Sequence, residues 1–430
     1  MIASKQKGFR MNKNLLLSMI ALTACAFADG DSIDPSALLA DNDLVADCNP
    51  KPKCKPKPVE CKPKPVECKP KPVECKPKPK PCEPCIRKGI APNVLTSARP
   101  CDDIGLYLFA DALYWHADVT NAEWAFVSNA GSPTIPTAGS NKELAFKWNW
   151  GFRVGIGYEF DHDQWDSDIY YTWFKNRAAN NSTSQTSFTT PARGSASTLN
   201  GDMDTDPALI TGGRANTKLS FQVLDWELGR AFYISNSISL RPHVGLKGAW
   251  IHLKEGETFT SSLGETYKIN NSTRSWEVGP SAGINSNWYF GCANTMAVGK
   301  GEVRDRPMWS IFGDVSGALM YGHFKNSHSE VGTIAGATVD GFQPSSLNRN
   351  LMVPVLTGVL GLAWDMCFDC DKVHLGIRAG YELQYWFRQN QRFSNINDGS
   401  FGSSFAAPRY TRTTGDLALQ GLTIDVRLDF

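Results

Sequence analysis

The sequence contains no unbroken apolar run of the ~18–20 residues that a membrane-spanning helix requires, which excludes a helical membrane protein. It also has almost no net charge, because 44 Lys and Arg residues oppose 43 Asp and Glu residues. This balance hides two unlike parts: residues 1–100 carry 18 basic and 10 acidic side chains, whereas residues 101–430 carry 26 and 33. The acidic excess of the main body argues against nucleic acid as a partner.

Residues 1–28 are predicted to form a signal peptide. Lys13 precedes the apolar stretch LLLSMIAL at 15–22, and Ala26 and Ala28 supply the small residues of a cleavage site. The preceding LTAC at 22–25 is also typical of lipoprotein processing, so cleavage after Ala28 and lipidation of Cys25 are both open. Either route takes the chain out of the cytoplasm.

An acidic linker at 29–47 is followed by a proline- and cysteine-rich rod and linker at 48–100. The repeat KPKPVEC has proline at nearly every second position, which excludes helix and sheet and favours a disordered or polyproline II segment rising about 3.1 Å per residue. Cysteines seven residues apart then lie about 22 Å from each other, well beyond the ~4.4–6.8 Å between the Cα atoms of a disulfide. Only the spacing of Cys82 and Cys85 allows closure within the rod.

The cysteines are therefore predicted to crosslink the chain to other envelope proteins in the periplasm, the compartment in which disulfides persist. The alternative is a spacer whose lysines bind anionic polymers while the thiols stay reduced or bind metal. The crosslinking candidates are Cys54, Cys61, Cys68, Cys75, Cys82, Cys85, Cys292, Cys367 and Cys370.

Residues 101–430 show the period-two alternation of β-strands with two different faces. At 373–388, Val373, Leu375 and Ile377 begin one face, and His374 and Arg378 lie on the other. Ten strands are predicted, near 104–117, 143–160, 165–175, 217–233, 238–253, 274–290, 307–324, 350–366, 372–389 and 415–430.

The predicted connections alternate between long and generally short. The long ones are 118–142, 176–216, 254–273, 325–349 and 390–414; the short side has 161–164, 234–237, 291–306 and 367–371. Long loops at one end, turns at the other and an even strand number are typical of an antiparallel transmembrane β-barrel of the outer membrane. The predicted fold is therefore all-β, with ten strands and twelve as the alternative, and with both termini in the periplasm.

Tryptophan gives a second indication of a membrane barrel, because such barrels carry aromatic girdles at both interfaces. The predicted girdle on the long-loop side comprises Trp115, Trp148, Trp150, Trp173, Trp250, Trp276 and Trp386. The predicted girdle on the turn side comprises Trp165, Trp288, Trp309, Trp364, Phe160, Tyr233 and Phe430.

Four segments resemble the Legionella-type family of pore-forming major outer membrane proteins, also found in chlamydia-like bacteria. They are YLFADALYW at 107–115, WGFRVGIGYEF at 150–160, DQWD at 163–166 and RPHVGLKGA at 241–249. The resemblance covers about 104–430 and implies a porin whose oligomeric state is open. In family terms, Phe430 resembles the terminal signal that the barrel-assembly machinery reads. The rod lies outside the resemblance.

Polar side chains on the strands are expected to face the lumen, because lipid cannot satisfy them. The predicted pore-lining residues are Asp111, Arg153, Glu159, Asp225, Glu227, Arg241, His243, Lys247, Glu277, Asp314, Arg378, Glu382, Arg388, Asp425 and Arg427. These charges either line a narrow aqueous pore or pair across it and close it, since a barrel of so few strands is narrow. The acidic excess favours a weak cation preference.

Three other sets of residues are candidates for metal binding or catalysis. Asp202, Asp204 and Asp206 begin like a calcium loop, but Pro207 and Gly213 replace the required glycine and bidentate acid. Cys367 and Cys370 lack the second cysteine pair that zinc sites of this spacing usually show. Three histidines lie near the predicted outer rim, where a small-barrel enzyme would need them: His116, His252 and His323. No catalytic residue, metal or cofactor is predicted.

The predicted function is passive diffusion of small hydrophilic solutes across the bacterial outer membrane. The alternatives are a structural envelope anchor with a closed barrel, or an adhesin that uses the loop 176–216, which is rich in Asn, Ser and Thr. The predicted partners are outer-membrane lipid, the barrel-assembly machinery, small solutes and disulfide-linked envelope proteins.

Overall fold

A computed structural model describes residues 105–430 except 129–138, 161–162, 184–188, 192–209, 236, 262–263, 291–292, 299–301, 307–308, 335–336, 341–346, 369–372 and 397–408. The chain divides into two units, Met1–Cys82 and Glu83–Phe430, and every described residue belongs to the second. The predicted signal peptide, acidic linker and cysteine rod lie outside the described residues. Within those residues, no helix has the length and apolar character needed to cross a membrane.

Ten long strands, each antiparallel to its neighbours, form the described unit. They are β1 (Leu106–Val119), β2 (Asn149–Glu159), β3 (Trp165–Thr183), β4 (Ile210–Arg230), β5 (Ile238–Ser261), β6 (Thr266–Phe290), β7 (Trp309–Ile334), β8 (Leu347–Phe368), β9 (Val373–Ile396) and β10 (Arg409–Asp429).

The strands follow one another around the sheet in chain order, and β10 pairs back onto β1. The closing ladder runs from Tyr107↔Asp429 to Val119↔Leu417. The predicted ten-stranded antiparallel barrel is therefore confirmed. The ring has ten strands rather than the alternative of twelve. The two further strands of this sheet, Phe232–Ser235 and Ala337–Asp340, are short additions that pair only with β5 and β7.

The outer face of the barrel is apolar and the inner face is largely polar, the reverse of a soluble protein. The exposed apolar side chains include Leu108 (44%), Val154 (45%), Ile156 (48%), Leu224 (42%), Leu246 (50%), Leu319 (50%), Leu360 (46%), Leu362 (51%), Leu422 (40%) and Val426 (40%). Soluble monomers rarely expose contiguous apolar surface on this scale, whereas a barrel in lipid needs an apolar band around its outside.

The predicted long loop at 254–273 is wrong. β5 and β6 continue through it as a hairpin, paired as far as Thr260↔Thr266, and only 262–265 remain as the connection. The remaining long connections, 120–148, 184–209, 335–346 and 397–408, all lie at the same end as this hairpin. Strands of up to 26 residues greatly exceed the ~9–11 that cross a bilayer, so the barrel continues beyond the membrane at this end.

A second, small sheet lies at the long-connection end. It joins Glu123–Ser128 with Gly139–Glu143 and Thr189–Pro191. Trp124 of this sheet is fully buried and lies 5.9 Å, between ring centroids, from Phe259 of β5. The first long connection therefore packs onto the inner wall of the barrel extension.

Candidate functional site in the barrel lumen

Fourteen of the fifteen predicted pore-lining residues face the lumen. Ten line one cavity: Asp111, Arg153, Glu159, Glu227, Arg241, Asp314, Arg378, Glu382, Asp425 and Arg427. Four more point inward but do not line this cavity: Asp225, His243, Lys247 and Glu277. Arg388 was predicted wrongly, because it is exposed at a break in the β9–β10 register, where the alternation of faces is lost.

The cavity, here called the vestibule, occupies the short-connection half of the lumen and has a volume of about 320 Å³. All ten strands contribute to its lining. Ten carboxylates and four guanidinium groups face it. The described lining therefore carries a clear acidic excess.

Arg153 of β2 joins three other strands across the upper part of the vestibule. Its guanidinium donates to the carboxylates of Asp111 at 2.9 Å and Glu382 at 2.7 Å, and to the Thr172 hydroxyl at 3.0 Å. Glu382 also accepts from Thr423 at 2.8 Å. This network ties β2 to β1, β3, β9 and β10, so it stabilises the closed ring.

Arg241 of β5 is the centre of a second network. It forms ion pairs with Asp166, with Asp168 at 3.2 Å and with Glu227 at 3.4 Å, and donates to Asn285 Oδ1 at 3.1 Å. Three carboxylates around a single guanidinium leave an excess of negative charge at this wall.

Two tyrosines support this second network. Tyr107 donates to Asp168 at 3.0 Å, and Tyr170 donates to Glu227 at 2.6 Å. Gly157 faces the Tyr107 ring so closely that a Cβ there would overlap it. Glycine on β2 therefore leaves the room that the Tyr107 ring occupies.

A third network lies at the short-connection rim. Arg427 pairs with Glu159 and with Asp429, each at 2.6 Å, and its guanidinium lies 3.8 Å above the centre of the Tyr107 ring. His374 lies between Asp429 and Asp365 and pairs with both. These contacts hold the ends of β10 and β1 together where the barrel closes.

An apolar layer closes the lumen above the vestibule. Phe221 of β4 and Trp386 of β9 meet edge to face, with ring centroids 5.3 Å apart, although β4 and β9 lie on opposite sides of the ten-stranded ring. Trp115 packs against Phe174 at 5.7 Å in the same layer. All four side chains are at most 1% exposed, so the lumen is sealed at this level in the structure.

Some predicted girdle positions are wrong. Trp115 and Trp386 point inward and form the seal, and Tyr233 lines the vestibule. Both tryptophans share the parity of lumen-facing neighbours in their strands, and this parity, rather than aromatic type, decides the face. The exposed outward-facing members are Trp148, Trp150, Trp250, Trp276, Trp288, Trp309, Phe160 and Phe430, whereas Trp165 is exposed and also lines the vestibule.

Sequence reasoning missed several vestibule residues that have the same alternation as those it found. Asp166, Asp168 and Tyr170 occupy successive inward positions of β3, and His374 and Asp429 belong to polar faces that were recognised without being assigned to the lumen. An acid at every second position was the available signal. Asn285 carries no charge, so it is identified only in the structure, by its contacts with Arg241, His243 and Asp314.

The remaining candidates do not assemble into a second site. His116 contacts Trp148, His252 contacts the Ser272 hydroxyl at 3.1 Å, and His323 contacts Asn350 at 2.7 Å. Cys367 is the last residue but one of β8, while every other cysteine and the whole segment 202–206 lie outside the described residues. Among the described residues, no group of His, Cys, Asp and Glu has the arrangement of a metal site.

The sequence matches the family described as Legionella pneumophila major outer membrane protein precursor over residues 98–430. No curated protein matches it. Among solved structures, the outer membrane protease OmpT from Escherichia coli shares 7% identity at a TM-score of 0.37, covering 78% of this chain and 100% of that chain.

Two further solved barrels are similar at a lower level. The translocator domain of the autotransporter NalP from Neisseria meningitidis has 13% identity and a TM-score of 0.27, with 76% and 90% of the two chains covered. The toluene transporter TodX of P. putida has 8% identity and a TM-score of 0.25, with the same coverage. At these scores, none of the three says anything about the activity of this chain.

Proposed function

The chain belongs to the family of the Legionella major outer membrane protein, and we propose that it forms a narrow, gated channel of the outer membrane. Small hydrophilic solutes would diffuse through it passively, cations in preference to anions. Diffusion down a gradient needs neither a cofactor nor a catalytic residue, so the lumen side chains have to supply only size and charge selection.

The observation that carries this proposal is the charge of the vestibule. Ten carboxylates against four guanidinium groups line a cavity of about 320 Å³ inside a low-dielectric wall. Such a wall focuses the field of the lining charges and raises the local concentration of counter-ions, and rings of acidic side chains select cations in channels. A barrel of ten strands is narrow, which favours a slim path over a wide one.

Planar-bilayer recording of the purified, folded full-length protein tests the proposal. We expect small stepwise currents and, in a salt gradient, a reversal potential shifted toward that of the cation. Folded protein that never gives stepwise currents would contradict the channel, and anion selectivity would contradict the assigned role of the vestibule.

A matched pair of variants assigns the selectivity to the vestibule. Replacing Asp314 and Asp425 by Asn removes two lining charges and should reduce the cation preference. Replacing Asp118, an exposed acid on the outward face of β1, by Asn should leave the reversal potential unchanged. An equal shift in both variants would show that surface charge, rather than the lumen, sets the selectivity.

A closed barrel that anchors the envelope is the second candidate function, favoured by the contact of Phe221 with Trp386 across the lumen. Substitution of Trp386 by Ala separates the two functions. In a gated channel it should raise the open fraction, whereas in a permanently closed anchor it should leave the folded protein without stepwise currents.

A further inference from the structure

The barrel wall is interrupted between β8 and β9. Their ladder runs from Phe368↔Val373 only as far as Val355↔Trp386, although both strands continue. Beyond this point, 347–354 of β8 pair with β7 alone, and 390–396 of β9 pair with β10 alone. Within the described residues, each of these two stretches thus has a neighbouring strand on one side only, above the apolar layer.

The upper part of β9 leaves the wall and crosses the lumen. Gln389 donates from Nε2 to the Ser275 hydroxyl at 2.9 Å, and the backbone carbonyl of Gln391 accepts from the Thr273 hydroxyl at 2.9 Å. Ser275 and Thr273 belong to β6, which is three strands away from β9 in the ring. Arg392 reaches Glu255 of β5, which is one strand further.

Burial gives an independent sign of the displacement. In a barrel wall, alternate side chains face outward, yet Gln389, Asn390, Gln391 and Arg392 are all at most 4% exposed. On the abandoned edge of β8 the pattern is the opposite, because the successive residues 348–350 are all exposed. The segment of β9 thus lies inside the lumen, and the neighbouring edge of β8 is uncovered.

Several polar side-chain atoms of residues 389–391 lack hydrogen-bond partners in this position. The side-chain oxygens of Gln389, Asn390 and Gln391 are buried without a hydrogen-bond partner. Buried polar atoms that lack a partner lose the hydration they would have in water. The edge of β8 offers the same segment a row of backbone partners, so the two positions of β9 are alternatives to each other.

A break in the backbone lies where the two halves of β9 meet. The register with β10 shifts between Trp386 and Asn390, and Arg388 within this break has a φ of 59°. The left-handed region is unfavourable for residues other than glycine. The Arg388 N–H is held by the Asp416 carboxylate at 2.8 Å. The position is suited to act as a hinge, because a rotation there would carry 389–396 together with the paired residues 409–415 of β10 without disturbing 373–386.

Resting on the proposed channel function, we propose that 387–396 of β9 is the gate of the lumen. In the closed state it lies across the lumen against β6 and β5 and holds Trp386 against Phe221. In the open state it pairs with the free edge of β8 and completes the wall. If the existing register continues, Leu351 faces Asn390 in that state.

Two cysteine pairs distinguish the states, in a full-length chain whose own cysteines are replaced by serine. Thr273→Cys with Gln391→Cys, joined by a short bifunctional thiol reagent, ties the segment to β6. Leu351→Cys with Asn390→Cys joins it to β8, because directly opposed residues lie close enough for a disulfide. Leu362→Cys with Ala379→Cys, opposed in the intact ladder and both exposed, is the control.

We expect all three pairs to crosslink in the membrane-embedded protein. The β6 tie should abolish the stepwise currents, the β8 tie should hold the channel open, reductant should reverse the β8 effect, and the control should change nothing. Currents that persist with the β6 tie complete, or a β8 pair that never crosslinks, would overturn the gate and leave the channel intact. A β8 pair that crosslinks in a protein without currents would establish the movement and overturn the channel.

Discussion

Arg153 links the side chains of three other strands inside the lumen. It contacts carboxylates of two strands and a hydroxyl of a third, and its side chain is only 15% exposed. A buried charge pair contributes little net stability, but removing one partner leaves the others buried and unpaired. The effect of losing Arg153 should therefore exceed what any one of its contacts contributes.

The first prediction is that Arg153→Met destabilises the barrel by about 3–5 kcal/mol, because Asp111 and Glu382 lose their cation. The free energy of unfolding in detergent, followed by the loss of heat-modifiable migration, measures this. Lys254→Met, at an exposed position of the β5 extension, should stay within about 0.5 kcal/mol of the parent. Equal effects of the two changes would show that Arg153 has no special role.

The second prediction concerns the space left by glycine. Gly157→Ala places a methyl group against the Tyr107 ring and should lower the free energy of unfolding by about 1–3 kcal/mol through overpacking. Gly248→Ala meets no atom closer than 3.7 Å and is the control, expected to change stability by less than about 0.5 kcal/mol. The same unfolding measurement applies. A neutral Gly157→Ala would show that the Tyr107 ring has room to move.

At this scale, parity along a strand explains both the success and the errors of the sequence-based prediction. Charged residues at alternate positions of a strand with an apolar opposite face were placed in the lumen, and fourteen point there. Trp115 and Trp386 were assigned by residue type against their own parity, and Arg388 by continuing a parity that the register break ends. A break in strand register leaves no trace in the alternation of polar and apolar residues, so the sequence does not predict it.

At the scale of elements, the strands outside the membrane differ in character from those inside it. The extension of β5 and β6 beyond Trp250 and Trp276 is dominated by polar residues. The outer face of the strands there contacts water instead of lipid, so it need not be apolar. The alternation of polar and apolar residues that predicts a strand is therefore lost. This explains why the sequence predicts the ten membrane-crossing segments but predicts a loop where the structure has the β5–β6 hairpin.

The third prediction concerns the end of β10 and the barrel-assembly machinery, which we propose as a partner. Phe430 is 41% exposed beside the outward-facing Leu428 and Val426, and its N–H bonds to the Leu106 carbonyl at 3.0 Å. Phe430→Ser should lower the yield of inserted, heat-modifiable barrel in whole cells without lowering export. Phe160→Ser, an equally exposed aromatic at the same end, is the control. Equal yields of the two variants would reduce Phe430 to a girdle residue.

At the scale of the whole molecule, the chain enters the barrel at the short-connection end, because Leu106 begins β1 beside the end of β10. Family membership places the barrel in the outer membrane. With long connections facing outward, as in other barrels of this membrane, we propose that the residues that precede β1 lie on the periplasmic side. The cysteine repeat would then be in a compartment where disulfides persist.

The fourth prediction is that these cysteines crosslink the protein to other envelope chains. A non-reducing gel of whole envelopes should show adducts of higher mass that collapse with reductant. Replacing Cys54, Cys61, Cys68 and Cys75 by Ser should remove the adducts, whereas Cys25→Ser, within the leader segment, should leave them in place if cleavage falls after Ala28. A single band that ignores reductant, with thiols open to alkylation, would favour the spacer alternative.

The closing ladder between β1 and β10 bears on how the barrel forms. Trp115 bonds to Thr423 across 308 positions of sequence, and Arg153 reaches Glu382 across 229. Pairings between such distant segments form slowly, because the chain loses conformational entropy when the loop closes, before the contacts that compensate for this loss can form. The networks around Arg153 and Arg427, which include residues of β10, are therefore complete only after the last strand has paired. Until then the apolar outer face of the incomplete barrel is exposed, so we expect the chain to require a holding chaperone for that interval.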